Sequence, residues 1–493
     1  MIKNKLIVSI LASASLLMSC EEWVDEPQPQ AEVVPEIVFS TVDGVEAYLT
    51  GTYRTIRGFN DELVNTTASN DDSEGFGSIM NTRTVRGNDF MQPAFQWMTF
   101  EYRYLDRNNP NSRKVNMVWN MSYELVNSMN ALLEGLEESP LSESERLPLA
   151  AEARAIRAFA YFQAIREYAL PYQAGRDNVG IPIYDASTVV EDRGNPRASV
   201  GDVYDVIVTD LEFASENLSQ DREFTWKINK AVADGILARV YLEMGLYQDA
   251  ADAANRARTA FGGGLNAASY TDGFRDISSP EWMWGMPYST DQTAFFGMFA
   301  SFWDGTRYVP TIRANPTFVE NFSETDVRNM FTLEEDDLYS TDKFIADADF
   351  GEDVVLMRVA EMYLIEAEAL ARLGNEAQAA ELLYTLQSNR DPELTSASGN
   401  TGQALIDEIM LERRKELYGE GLADFPDKRR LQQAWERDEN HPSAFRFSFE
   451  PNDYKFFMLI PQGEIDANEA LTEADQNPDS NETPWPQPGD SQE

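Results

Sequence analysis

The chain has 493 residues, with 84 Asp and Glu against 40 Lys and Arg, a formal net charge of −44. That balance argues against nucleic acid as a partner, since binding it needs a basic footprint, and long polyanions meet repulsion on average. One cysteine and one histidine, Cys20 and His441, exclude a disulfide framework and a multi-histidine metal centre.

In chain order, Lys3 and Lys5 form a short positive region, and the apolar stretch "LIVSILASASLLM" follows. This is the layout of a secretory leader, too short and wrongly flanked for a spanning helix. "LMSC" then places Leu17 at −3, Ser19 at −1 and Cys20 at +1, which resembles the bacterial lipobox. The expectation is a leader over 1–19 and a lipidated Cys20 as first residue of the mature chain. One acyl chain anchors only marginally, at about 0.8 kcal/mol per buried CH2, so stable anchoring takes several. Residues 20–35, acidic and proline-bearing, read as a tether. Residues 36–493 are expected to form one domain.

Helical periodicity dominates that domain. Residues 40–58 begin with Ser40 as the expected cap and end at Gly58. The stretch 112–136 places Trp119, Tyr123, Val126, Met129, Asn130 and Leu133 near one face, so these are expected core. Ser-x-x-Glu caps open an Ala-rich helix over 142–170. Residues 198–218 carry Val203, Ile207, Asp210, Leu211 and Ala214 at helical spacing. Two later stretches, from Ala231 and from Ala360, share small and aromatic residues at offsets that fit the tetratricopeptide pattern. In the first these are Ala238, Tyr241, Gly245 and Ala250; in the second, Ala367, Leu370, Gly374 and Ala379. The glycines are expected to turn the chain between paired helices. The fold class is therefore all-α, a scaffold of tetratricopeptide-like hairpins.

Two regions break the pattern. Residues 60–110 are rich in Asn, Asp, Gly and Ser and then aromatic ("NDFMQPAFQWMTFEYRY"). Residues 262–345 hold "EWMWGM", read as a short buried strand with Trp282 and Trp284 on one face, and "FWDGTRY", read as a turn beside a ring. Both regions read as long, irregular insertions carrying a little β, and long ordered loops usually carry function.

The ordered set of "WNMSYELVNSMNALL", "AAEARAIRAFAYFQAIREYA", "GIPIYDAS", "IMLERRKELYGEG" and "FMLIPQGEIDANEALTEADQNP" resembles the SusD/RagB family of outer-membrane nutrient-binding lipoproteins of Bacteroidetes, nearly end to end. One segment departs. Where the family has Arg-Trp/Phe-x-Asp-Leu-x-Arg, this chain has "LADFPDKRR"; Asp427 and Arg429 or Arg430 are candidates for the polar places, and Pro426 interrupts. The resemblance implies a lid on a SusC-like TonB-dependent transporter, lipid-anchored at Cys20 on the extracellular face of the outer membrane. It implies capture of an oligosaccharide or, in some members, a peptide. A surface scaffold protein is the reading from another class.

A sugar offers C–H faces for aromatic rings and hydroxyls for Asn, Asp and Arg. The expected ring platforms are Trp97, Phe302, Trp303 and Tyr308, with Trp303 foremost. The expected polar contacts are Asn70, Asp71, Asp72, Arg86, Asn88 and Asp89. No catalytic constellation is expected, and no cofactor. The acid runs 69–75 and 334–338 leave structural Ca2+ open, without EF-hand spacing. The charges of "ERRKEL" (412–417) are expected to pair along the helix or to bury an arginine against Asp424 or Asp427.

Overall fold

The computed structural model describes residues 38–58, 75–95, 97–189, 192–293, 297–304, 311–335 and 337–479. The expected leader (1–19), Cys20 and the expected tether (20–35) lie outside them.

The first helix, α1 (Val42–Arg57), starts one residue later than Ser40 suggests: Thr41 accepts from the Gly44 amide at 3.1 Å, and Gly58 closes the helix at φ 87°. A second, α2 (Gly75–Arg86), is buried at every position and falls inside the first region read as loop. After β1 (Phe90–Met91) and the short α3 (Thr99–Tyr102) come two long helices. These are α4 (Arg113–Glu138), capped by Ser112, and α5 (Glu143–Tyr168), opened by a Ser142/Glu145 capping box. They bury Trp119, Val126, Met129 and Asn130, as the spacing predicts; Tyr123 is half-buried, its hydroxyl donating to the Pro182 carbonyl at 2.8 Å. The ribbon β2 (Val179–Pro182) and β3 (Arg197–Ser199) leads into α6 (Val200–Asn217).

The two repeat-like stretches are helical hairpins. In the first, α7 (Lys230–Met244) and α8 (Tyr247–Phe261) turn at Gly245, φ 78°. In the second, α11 (Val359–Arg372) and α12 (Glu376–Arg390) turn at Gly374, φ 83°. Ala250, Ala253, Ala254 and Ala257 of α8 and Ala360, Ala367 and Ala371 of α11 are all buried, and the two helices pack together across the interface between hairpins. Small side chains let the helix axes approach, and the larger residues beside them fill the remaining space. Each fully buried Leu or Ile contributes about 1.5–3 kcal/mol. From α4 to α8, and on to α11 and α12, each helix packs on the next. The protein is mostly helical, as the sequence predicts.

Between the hairpins run α9 (Ala267–Tyr270), β4 (Trp282–Met286), β5 (Arg313–Ala314), α10 (Pro316–Val319), β6 (Phe331–Leu333), β7 (Tyr339–Thr341) and β8 (Val354–Arg358). Strand β4 is the buried strand expected, antiparallel to β8. Its register shifts between Trp282 and Trp284, so simple alternation fails: Trp282 meets Phe274 and Trp284 meets Phe159. The four-stranded order β1-β5-β7-β6, with Phe90 opposite Ala314, ties the two insertions together.

Last come α13 (Gln403–Leu417), α14 (Phe425–Arg430), the ribbon β9 (Trp435–Glu436) with β10 (Ser448–Phe449), and α15 (Gln462–Ala467). The "ERRKEL" charges of α13 are consumed by ion pairs. Arg413 reaches Asp427 at 3.2 Å, and Glu416 takes Arg358 at 2.8 Å, Arg390 at 2.9 Å and Arg328 at 3.0 Å. The departing segment is helical: Pro426 sits in the first turn of α14, where a missing N–H costs nothing, and Arg430 joins Asp427 at 2.8 Å. Among the described residues no helix is long and apolar enough to cross a membrane.

Candidate ligand-binding face

The two insertions meet at α2. Asn81 of α2 accepts from the Trp303 indole at 2.8 Å and donates to the Phe299 carbonyl at 3.3 Å. Gly77 lies against Phe299, where a β-carbon would stand 3.1 Å from that side chain. The residues on either side of 305–310 also come together here, since the Phe302 carbonyl accepts from the amides of Thr311 and Ile312 at 3.2 and 3.1 Å. Gly75, where the chain returns after 59–74, lies against Arg57 and Gly58.

Beside this junction the chain from β1 to α3 presents rings. Pro93 has no N–H to continue β1, and α3 is a single turn. The residues between are too few to pack on both sides. Phe95 is 71% exposed and Phe100 48%, edge to face with centroids 6.1 Å apart. Trp97 is half-buried; its ring meets Phe302 edge-on at 5.9 Å, and its carbonyl accepts from the buried Gln92 amide at 3.4 Å. Arg103 stacks over Phe445 at 4.3 Å and lies 5.8 Å from the Phe95 centroid, placing a cation at the edge of the patch. Sequence reasoning picked Trp97 and passed over Phe95, Phe100 and Arg103. The signal available was the Pro93 interruption followed by rings at a spacing that fits neither a helix face nor a strand face.

Several expected contacts prove to be interior groups. Trp303 is fully buried, walled by Phe90, Phe299 and Phe344, with its N–H spent on Asn81. Its ring faces the core rather than solvent. Phe302 is 1% exposed and supports Trp97 from beneath. Arg86 is buried between Asp106 at 2.6 Å and Glu167 at 3.3 Å. Asp89 is buried against Arg414, whose Nε donates to it at 2.8 Å. Asn88 is half-buried and engaged by a residue distant in sequence, donating to the Asp438 carboxylate at 3.3 Å and accepting from the Asp438 amide at 3.0 Å. These corrections share one cause: a polar or aromatic side chain in an irregular segment can be consumed by a partner well separated in sequence, 20 residues away for Arg86 and Asp106 and 350 for Asn88 and Asp438. Asn70, Asp71, Asp72 and Tyr308 lie outside the described residues. Among the described residues, Trp97 is the expected platform that the structure leaves partly accessible.

A cleft of about 470 Å3 in the second insertion is lined by Asp272, Arg275, Asp276 and Ser278. The rings beneath it, Phe274 and Trp282, are 6% and 3% exposed, so it offers polar groups without a platform. His441 is interior: its ring nitrogens lie 2.8 Å from the Tyr102 hydroxyl and 3.1 Å from the Asn88 carbonyl. Burial, helped by Arg437, lowers its pKa to about 4. Among the described residues no group of three or more His, Cys, Asp or Glu could hold a metal ion.

The fold is a scaffold of stacked helical hairpins with Phe95 and Phe100 exposed beside the junction of its two insertions. A family profile described as "Starch-binding associating with outer membrane" matches residues 59–242, and the SusD family profile matches residues 321–479. The chain is 25% identical over 381 residues to SusD-like protein P38 of Formosa agariphila, covering 63% of this chain and 71% of that one. It is 27% identical over 246 residues to a SusD-like protein of Bacteroides ovatus, 49% of this chain and 39% of that relative, so this match spans well under half the relative's length. Among solved structures, a SusD-like carbohydrate binding protein from Bacteroides vulgatus superimposes with a TM-score of 0.78 at 25% identity, covering 88% of this chain and 97% of that one. A SusD superfamily protein from Bacteroides thetaiotaomicron gives 0.76 at 23% identity, covering 89% and 100%. The chain belongs to the SusD family.

Proposed function

We propose that this protein is a cell-surface glycan-binding lipoprotein that captures oligosaccharides and passes them to a SusC-like TonB-dependent transporter. It is held by a lipidated Cys20 on the extracellular face of the outer membrane and does no chemistry on its ligand. The observation that carries the reading is the cluster of Phe95, Trp97 and Phe100 beside the junction of the two insertions. Apolar ring faces next to polar loops suit a ligand with alternating C–H faces and hydroxyls. The likeness to the SusD-like carbohydrate binding protein of Bacteroides vulgatus supports the same reading. The strong negative charge favours a neutral glycan over an acidic one.

A panel of neutral and acidic oligosaccharides and of peptides, titrated against the purified protein by calorimetry, tests this. A neutral oligosaccharide that binds and is recovered unchanged fits the reading. Binding of peptides alone, or release of cleaved product, contradicts it.

A further inference from the structure

Where α1 packs on α5, a carboxyl is buried without a countercharge of its own. Glu152 of α5 is 6% exposed. Among the described residues its hydrogen-bond partner is the Tyr53 hydroxyl of α1, which donates to it at 2.7 Å and accepts from the Ile228 amide at 2.9 Å. The cations nearby belong to residues 218–230, which join α6 to α7, and each has another partner. Arg222 is spent on the carbonyls of Lys227 and Met283. Lys230 turns to the Ser215 carbonyl. Lys227 pairs with Glu46 of α1, an ion pair whose carboxylate is 38% exposed. Burial disfavours the ionised form, so the Glu152 carboxyl is pushed up to about 7 even though the charge of Lys227 acts on it in the other direction.

Lys227 thus serves an exposed carboxylate on α1 while its charge also bears on a buried one on α5. An ion pair open to water is worth little, whereas a buried carboxylate that has lost its proton is costly until a cation meets it. We propose that Glu152, Lys227 and Glu46 form a proton-controlled latch on α1: with Glu152 neutral, Lys227 holds Glu46, and when Glu152 gives its proton to solvent, Lys227 turns inward to it and releases Glu46. The same loop carries Phe224, 43% exposed and stacked on Trp226 with centroids 5.3 Å apart, and Trp226 meets Tyr53 edge to face at 5.1 Å. The exchange therefore loosens the loop and its ring pair from α1 as pH rises. Because α1 is the first helix after the expected tether, the latch sits where an anchored end would join the body. It stands apart from the ligand reading.

Urea unfolding of wild type, Glu46→Gln, Glu152→Gln and the double variant, at about pH 5.5 and about pH 8.5, tests the latch. Glu152→Gln keeps an acceptor for the Tyr53 hydroxyl and cannot ionise. With its folded value raised from 4.5 to about 7, neutral Glu152 contributes stability that is complete below 4.5 and lost as pH rises through 7. The wild-type midpoint should therefore fall relative to Glu152→Gln between the lower and the higher pH. Glu46→Gln should lower the midpoint at the lower pH and leave it unchanged at the higher one, and in the Glu152→Gln background it should lower the midpoint at both. A Glu46→Gln loss that is equal at the two pH values in the wild-type background, or absent at both, overturns the proposal. So does a pH-dependent loss that survives in the Glu152→Gln background. Should Glu152→Gln fail to fold, the wild-type and Glu46→Gln pair alone decides.

Discussion

Trp303 and His441 show how much a side chain's role depends on partners distant in sequence. Trp303→Ala removes a buried indole and strands the Asn81 oxygen, so it should destabilise the fold by about 3–5 kcal/mol in urea unfolding. A loss of glycan affinity at unchanged stability would return Trp303 to the ligand face. His441 is the one histidine, so its imidazole can be followed by NMR without assignment. Its pKa is lowered from 6.5 to about 4 because burial and Arg437 disfavour the charged ring. The unfolded chain therefore binds the extra proton first. The stability contributed by neutral His441 is complete above pH 6.5 and is lost as pH falls toward 4. An imidazole midpoint near 4 fits this environment, and one near 6.5 contradicts it.

The hairpins were legible at the level of elements because their signal is local. Small residues recur on one face of α8 and of α11, and Gly245 and Gly374 sit where each chain turns. Gly374 gives a clean test. Nothing lies within 4 Å of a β-carbon built there, while its φ of 83° is left-handed. Gly374→Ala should cost about 1 kcal/mol from backbone conformation alone, measured as a shift in urea midpoint with an unchanged slope. No loss would mean that the turn relaxes. Helix α2 was not legible, for the opposite reason. Arg83, Arg86, Asn81 and Thr82 read as loop composition, yet all are buried. What makes them helical and interior is supplied from afar, by Glu167 to Arg83 at 2.7 Å, Asp106 to Arg86 and Trp303 to Asn81. The candidate site was legible only as a composition of rings and polar loops. Which ring faces outward depends on how α2, β1 and the 299–303 turn meet.

The whole molecule is tied together by buried charge as well as by its core. Arg328, Arg358 and Arg390, each 1% exposed or less, converge on Glu416, and Arg358 and Arg390 also share Glu281. The cluster joins β8, α12 and α13 to the second insertion. Glu416→Gln would leave buried guanidinium groups short of countercharge and should cost about 3–5 kcal/mol in chemical unfolding; a loss below about 1 kcal/mol would show that Glu281 and Glu420, which also holds Arg358 at 2.6 Å, suffice. With the frame held this way, the ring-bearing rim can present ligand contacts on a rigid support. The most direct test of that claim is calorimetry of wild-type and Trp97→Ala protein against the neutral oligosaccharide that binds best, with unfolding measured on both. The account predicts at least a tenfold weaker Kd for Trp97→Ala, about 1.4 kcal/mol, with stability nearly unchanged. Equal affinity of the two proteins would contradict it.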